Sequence, residues 1–278
     1  WGEKCVRYFN GIFAFAIWDS CRQGLFMARD RLGVKPLFYL QKGAMLLFAS
    51  EMKAILAHPD IEAAIDSEGL AELLVMGPSR TPGHGIFHGI VELKPGFTMW
   101  FDRGGVKITR YWQLQSGIHT DDLNSTAEMV KNLFRASVQR QVVSDVPLAT
   151  FLSGGLDSSA ITSLTAGYFE RGGRERLHTF SVDYIGNAEH FRSSRFQPDP
   201  DHIWTDKVAA YFNCAHHNIV LDNKELADAL VPAALANDYP AMADIDSSLY
   251  LFCREVKKQT TVVLSGECAD EIFGGYPW

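Results

Sequence analysis

What this 278-residue sequence lacks narrows it before any motif is considered. No window approaches the ~18 to 20 consecutive apolar residues that a membrane-spanning helix needs. No basic stretch followed by an apolar one opens the chain, so no secretory leader is read there. The five cysteines (Cys5, Cys21, Cys214, Cys253 and Cys268) are odd in number and form no Cys-x-x-Cys pair. That argues against a disulfide scaffold or a paired-cysteine zinc site and for a reducing, cytoplasmic setting. No Lys/Arg block interrupts a net charge of −7, which speaks against nucleic acid as a partner. Internal repeats and low-complexity tracts are missing. So is an initiator methionine, the first residue being Trp1.

What remains is ordinary globular composition, 47% hydrophobic and 21% charged, in a chain long enough for two domains. The first hundred residues carry short apolar and aromatic runs between Gly and charged turns: 11–19, 24–28, 36–40, 45–49, and later 97–101 and 106–112. These read as strands of a mostly antiparallel sheet. Helices are expected at 50–57, capped by Ser50, and at 66–76, capped by Asp66 or Ser67. A polar stretch without period, 113–124, reads as a linker, giving domains 1–115 and 116–278. Beyond it helices and apolar strands alternate, starting with a helix from Ser125 whose Glu128 completes a capping box. Strands follow at 147–152, 177–182, 216–221 and 260–264, with helices between them, including 223–236 and 246–259. Such alternation predicts an α/β fold with a parallel sheet.

In an open parallel sheet, ligands bind beyond the carboxyl ends of the strands. Two of those ends are chemically unusual. After "LATFL" come Ser153, Gly154, Gly155, Leu156, Asp157 and Ser158; after "TTVVL" come Ser265, Gly266, Glu267, Cys268, Ala269, Asp270 and Glu271. Glycines, hydroxyls and the start of a helix suit a phosphate. The loop is neither a Walker A sequence nor Gly-x-Gly-x-x-Gly. Asp157 inside such an anion site would repel phosphates unless a divalent cation lay between, so it reads as a Mg²⁺ ligand. The plain alternative is a tight strand–helix turn.

The run SGGLDSS resembles the PP-loop of ATP pyrophosphatases that adenylate their substrates. Together with "LSGECADEIFGGYPW" at 264–278 it is similar to the synthetase domain of glutamine-hydrolysing asparagine synthetases. That family's second motif, Ser-Gly-Glu-Gly-x-Asp-Glu followed by Phe-Gly-Gly-Tyr, is kept here at Ser265, Gly266, Glu267, Asp270, Glu271 and the Gly274-Gly275-Tyr276 turn, with Cys268 and Ala269 substituted. The resemblance implies an adenine-nucleotide hydrolase fold. It also implies attack of the aspartate β-carboxylate on the α-phosphate of ATP, and ammonia displacing AMP from β-aspartyl-AMP. By it, Ser153, Gly154, Gly155, Ser158, Ser265 and Gly266 cradle the nucleotide, and Leu152 and Val182 hold the adenine through backbone groups. Asp157 and Asp270 carry Mg²⁺, and Glu267 binds metal or orients the amine.

One departure bears on the acceptor acid. Where members of the family have a Thr-Thr-Ile-Arg-Ala-Ser stretch, this chain has "ADIDSS", 243–248, without a cation. It reads equally as a helix start capped by Asp246 and as a subtype's version using Asp244 and Ser247.

"NGIFAFAIWD", "RDRLGVKPLFY" and "FASEMKAILAHP" resemble the later part of the family's glutaminase domain, a partial αββα, N-terminal-nucleophile-hydrolase-like fold. Its nucleophile is a Cys following the initiator Met, with its own amino group as base. Cys5 does not match that position and reads as a small buried hydrophobe. Asn10-Gly11 reads as the opening of a strand rather than an oxyanion pair. "RDRLGVKPL" could be an anion site, but reads better as a turn with salt bridges near the domain junction. His84, His88 and the Cys214/His216/His217 group read as ordinary surface residues rather than zinc ligands. Both ends look cut, so the chain is expected to be an internal fragment of a larger protein. The implied partners are small molecules (aspartate, and glutamine or ammonia), with no membrane and a homodimer left open. Two alternatives stand beside this reading: a β-lactam-synthetase-like enzyme acting on a different carboxylate, and a nucleotide-binding module without catalysis.

Overall fold

The computed structural model describes residues 1–77, 79–194 and 198–275, except for the side chain at 244. The chain divides into two compact units. The first holds Trp1–Ile118 together with Ala233–Ala243, and the second the remainder.

The first unit opens with a 3₁₀ turn, Gly2–Arg7, and continues through β1 (Ala14–Asp19), β2 (Gly24–Arg29), β3 (Phe38–Lys42), β4 (Met45–Ala49), α1 (Met52–Leu56), α2 (Ser67–Ala71), β5 (Val91–Glu92), β6 (Phe97–Asp102) and β7 (Gly105–Arg110). Its strands form two antiparallel sheets, ordered β1-β2-β6-β7 and β4-β3-β5, rather than the one expected. The alternation within each strand explains the layering. Met27 and Met99 of one sheet meet Tyr39 and, beside it, Leu37 and Leu93 in a shared core. On β2, Phe26 and Ala28 point the other way and pack with Trp100, Val6 and the partly buried Cys5. On β3, Phe38 and Leu40 face Met52 and Ile55 of α1. The expected helix at 66–76 keeps α form only to Ala71 and becomes a π turn at Glu72–Met76.

Between β2 and β3 the charged turn is built from its own side chains. Asp30, 2% exposed, accepts hydrogen bonds from Leu32, Val34 and Lys35 N–H at 3.0–3.1 Å. Arg29 donates to the carbonyls of Lys35, Leu93 and Gly33 at 2.7 Å and pairs with Glu92 at 2.9 Å. The structural reading of this turn therefore holds. Tyr111 donates to Arg29 O, and burial, chiefly, with Asp30 adding, pushes its hydroxyl up to about 12.

Helix α1 starts after Glu51 and no side chain of its own turn caps it, so Ser50 is not the cap. The Asp238 carboxylate, 186 residues away, accepts from Met52 N–H at 2.6 Å and pairs with Lys53 Nζ at 3.0 Å. Tyr239 beside it joins Phe38, Leu40, Met52 and Ile55.

The second unit runs α3 (Leu123–Gln141), β8 (Leu148–Phe151), α4 (Leu156–Arg171), β9 (His178–Tyr184), α5 (Asn187–His190), α6 (Asp201–Tyr211), β10 (Ala215–Leu221), α7 (Asn223–Asp228), α8 (Leu230–Ala236), α9 (Ala243–Val256), β11 (Val262–Leu264) and α10 (Ala269–Phe273), with the end of α8 and the start of α9 counted in the first unit. The four strands are parallel in the order β10-β9-β8-β11, as the alternation predicts. Phe180 and Ala149 pack on Phe252 and Val256 of α9 on one face. Leu152 and Leu177 pack on Ala209 of α6 on the other. Thr150 and Thr162, both fully buried, satisfy each other at 2.9 Å and tie β8 to α4. Helix α3 starts two residues before Ser125. Asp122 is its cap, accepting from Ser125 N–H at 2.9 Å, while Glu128 pairs with Lys131 instead of closing a box. A carboxylate ahead of the helix reaches the bare N–H groups better than a serine already within it. Among the described residues, no helix is long and apolar enough to cross a membrane.

Candidate active site

A cleft of about 720 Å³ opens at the carboxyl ends of the parallel strands, within the second unit. Each element contributes a different chemistry. The loop after β8 brings Ser153, Gly155, Asp157 and Ser158; the loop after β11 brings Ser265, Gly266, Glu267 and Asp270. The end of β9 supplies Ser181, Val182 and Asp183, and β10 supplies Asn218. Helix α6 lines one side with Asp201, His202 and Thr205, and α9 the other with Ile245, Leu249 and Phe252.

Of the residues that the resemblance gives to nucleotide, metal or amine, all line this cleft except Gly154. Its role is steric. Its φ is +82°, and a Cβ there would sit 2.7 Å from Trp204 Cβ and 2.8 Å from Thr205 N, so only glycine lets α6 approach. Gly266 does the same for the two loops: a Cβ would meet Ser158 N at 3.0 Å and Asp157 Cβ at 3.2 Å. The serines brace the turn. Ser153 N–H and Ser153 Oγ lie 3.3 and 3.0 Å from Ser158 Oγ, which donates to Gly155 O at 3.2 Å.

Helix α4 begins after Gly155 with no side-chain cap, whereas α2, α3 and α7 are capped by Asp66, Asp122 and Asp222. Its first N–H groups and dipole therefore face the cleft. The carboxylates of Asp157, Glu267 and Asp270 take no hydrogen bond or ion pair from any described residue. Five carboxylates line the cleft (Asp157, Asp183, Asp201, Glu267 and Asp270), and the described lining includes no Lys or Arg. Among the described residues no three His, Cys, Asp or Glu side chains are grouped to hold a metal. A Mg²⁺ site needs only one or two carboxylates when phosphates complete it. Asp157 and Asp270, on two loops that touch at Gly266, fit that requirement.

Leu152 N–H is already given to Phe180 O at 2.8 Å and is not free for a ligand. Val182 is 37% exposed at the cleft. In "ADIDSS", α9 begins at Ala243, which puts Asp246 inside the first turn, not ahead of it as a cap. Ser247 is wholly buried and is not in the cleft lining, whereas its neighbour Ser248 is, with Oγ 2.6 Å from Tyr184 OH. The Asp244 side chain and Tyr276 lie outside the described residues.

The histidines of β10 are half-buried and hydrogen-bonded rather than free at the surface. His216 Nδ1 lies 2.8 Å from Thr179 Oγ1 and its Nε2 3.0 Å from Ser181 Oγ. Burial pushes His216 below the usual imidazole range, Asp206 opposing and His217 reinforcing the shift. His178 and His217 stack and hydrogen-bond at 2.9 Å. Cys214, 4% exposed, is a core residue. In the first unit, His88 pairs with Asp66 at 2.8 Å, and Asn10 and Gly11 are exposed ahead of β1, which starts only at Ala14. Sequence reading missed Ser181, Asp183, Asn218 and Ser248. For Ser181, Asp183 and Asn218 the signal available was the strand-end rule itself, applied to β9 and β10 as well as to the glycine-marked ends; Ser248, on α9, has no such signal.

A family model described as Asparagine synthase matches residues 129–278, more than half of the chain. The chain belongs to the asparagine synthase family. A second model, Glutamine amidotransferase domain, matches residues 1–112. Among relatives of the family, asparagine synthetase [glutamine-hydrolyzing] 3 of Bacillus subtilis is 56% identical across the whole chain, which covers 45% of that protein. A putative asparagine synthetase [glutamine-hydrolyzing] 2 of Methanocaldococcus jannaschii is 31% identical over 99% of the chain and 51% of its own length. Asparagine synthetase [glutamine-hydrolyzing] 1 of Bacillus subtilis is 32% identical over 99% of the chain and 41% of its own length. The chain thus spans about half the length of these relatives.

Proposed function

We propose that the cleft of the second unit binds ATP and activates a carboxylic acid, aspartate, for amide formation with ammonia drawn from glutamine by the intact protein. The observation that carries this is the uncapped N-terminus of α4 above the Ser153–Ser158 turn, facing unpaired carboxylates across the cleft. A helix start without a protein acceptor suits a phosphate, and the carboxylates suit the cation that accompanies it.

A β-carboxylate oxygen attacks the α-phosphorus, and the bond to the bridging oxygen breaks. Pyrophosphate leaves with both electrons of that bond. The N–H groups at the start of α4, with Ser153 and Ser265 nearby, receive its charge. Ammonia then attacks the acyl carbon of β-aspartyl-AMP, AMP departs, and one proton is lost from the amine; Glu267 is placed to accept it. Asp157 and Asp270 would hold Mg²⁺, which when bound would neutralise charge on the departing pyrophosphate. The five cysteines, all unpaired, support a reducing, cytoplasmic setting.

A second reading keeps the chemistry and changes the acid. No Lys or Arg of the described lining stands ready for the α-carboxylate of aspartate, and the Ile245, Leu249 and Phe252 wall is apolar. ATP–pyrophosphate exchange by the intact protein separates the two. Exchange that requires aspartate supports the first reading; exchange with another acid and none with aspartate selects the second. Absence of Mg-dependent exchange with any acid overturns both.

A further inference from the structure

Beyond the loops that face phosphates, an ordered chain of neutral polar groups on β9 and β10 reaches the cleft at Ser181 and Asn218. Thr179, Ser181, His216 and Asn218 share one face, because His216 is in register with Thr179 and Asn218 with Ser181. The hydrogen bonds set their polarity. Ser181 spends its one proton on Asn218 Oδ1 at 3.2 Å. His216 Nε2, 3.0 Å from Ser181 Oγ, must then be the N–H, and Nδ1, 2.8 Å away, accepts from Thr179 Oγ1. Thr179 is fully buried, which anchors the far end of the chain. The consequence falls on Asn218: its carbonyl is occupied, so the group it offers the cleft is its NH₂, a donor pair without charge.

Position says what that donor meets. The sheet order is β10-β9-β8-β11, and strands lie about 4.8 Å apart, which puts Asn218 about 10 Å from the phosphate turn after β8. A nucleotide laid across the strand ends with its phosphates at that turn carries its base to β9 and β10. We infer that Asn218, oriented by Ser181 and His216, donates a hydrogen bond to a ring nitrogen of the purine base, and that Ser181 and His216 are positioning residues for it. The inference rests on the reading of this cleft as the ATP site. A purine presents unprotonated ring nitrogens along its edges, and the nearby Asp183, whose Oδ1 accepts from Tyr184 N–H at 2.8 Å and Asn187 Nδ2 at 2.7 Å, can only accept. The amide is thus the group on these strand ends matched to such an acceptor.

The test compares ATP with its 1-deaza, 3-deaza and 7-deaza analogues, in each of which one ring nitrogen becomes C–H, in binding and exchange assays of the intact protein. The native protein should bind one analogue about three- to tenfold more weakly than ATP, the range of one net hydrogen bond. Asn218→Ala should weaken ATP by a similar factor and bind ATP and that analogue equally. Ser181→Ala should shrink the discrimination and Ser181→Thr should restore it, a pattern that simple loss of stability does not produce. If the native protein discriminates and Asn218→Ala discriminates equally well, or if none of the three analogues is distinguished from ATP, the inference fails while the ATP site stands. If ATP binding is indifferent to Asp157→Asn and to every change at Asn218, the cleft is not the nucleotide site and the underlying reading fails with it.

Discussion

Two turns in this chain look alike on paper and do opposite things. "RDRLG" and "SGGLDSS" each place an aspartate and glycine after an apolar strand. In the first, Asp30 is buried and its oxygens are used by three N–H groups of its own turn. In the second, Asp157 has no described partner and looks into a cleft. A carboxylate satisfied by its own backbone is structure, and one held out unsatisfied beside a bare helix start is chemistry waiting for a ligand. Glycine and aspartate in a turn do not distinguish the two; the count of N–H groups aimed at the carboxylate does.

The widest gap between the turns should come from making each aspartate neutral. Asp157→Asn preserves shape and removes charge, so Mg-dependent ATP–pyrophosphate exchange should fall by about a thousandfold or more, with thermal stability within about 0.5 kcal/mol of native. Asp30→Ala should do the reverse, stranding three N–H groups and costing about 3 kcal/mol or more. A melting temperature within a degree of native would break the contrast. Gly154→Ala sharpens it, since here the functional turn has a structural demand of its own. Positive φ and the approach of Trp204 predict a loss of about 1–3 kcal/mol by denaturant unfolding, together with weaker ATP binding. Smallest is a pH effect behind the cleft. His216 is held neutral in the folded protein, so its contribution is present above the unfolded imidazole value, about 6.5, and is lost as pH falls toward its lowered folded value. Melting temperatures from pH 7.5 down to 5.5 should therefore drop more steeply for the native protein than for His216→Gln. Equal slopes would remove His216 from the account, His217 remaining as the other depressed imidazole.

The parallel sheet was legible because short apolar runs alternate with helix-length segments along the second half of the chain, and the two loops with unusual chemistry stand at the ends of two of those runs. What escaped was mostly set by residues distant in sequence. Nothing near Ser50 announces that Asp238 caps α1. Val91–Glu92, too short to register as a strand, pairs with β3 and helps make a second sheet where one was expected. Ser125 and Glu128 have capping-box spacing, yet Asp122 stands three residues earlier and takes the role, a competition that spacing alone does not rank. Ser181 and Asn218 carry no motif at all; only the register of β9 against β10 puts them on one face at the cleft.

The excursion of residues 233–243 into the first unit decides how this protein can be taken apart. The chain enters the second unit at His119, returns to the first for eleven residues, and goes back. No single scission can therefore release either half intact. A gene piece encoding 119–278 would carry Tyr239 without the apolar cluster it fills, and Asp238 without the helix end and the lysine it serves. Recombination that swaps one half between relatives must carry these residues along with residues 1–118 or keep their partners matched. The chain therefore passes between the two units three times, at 118/119, 232/233 and 243/244.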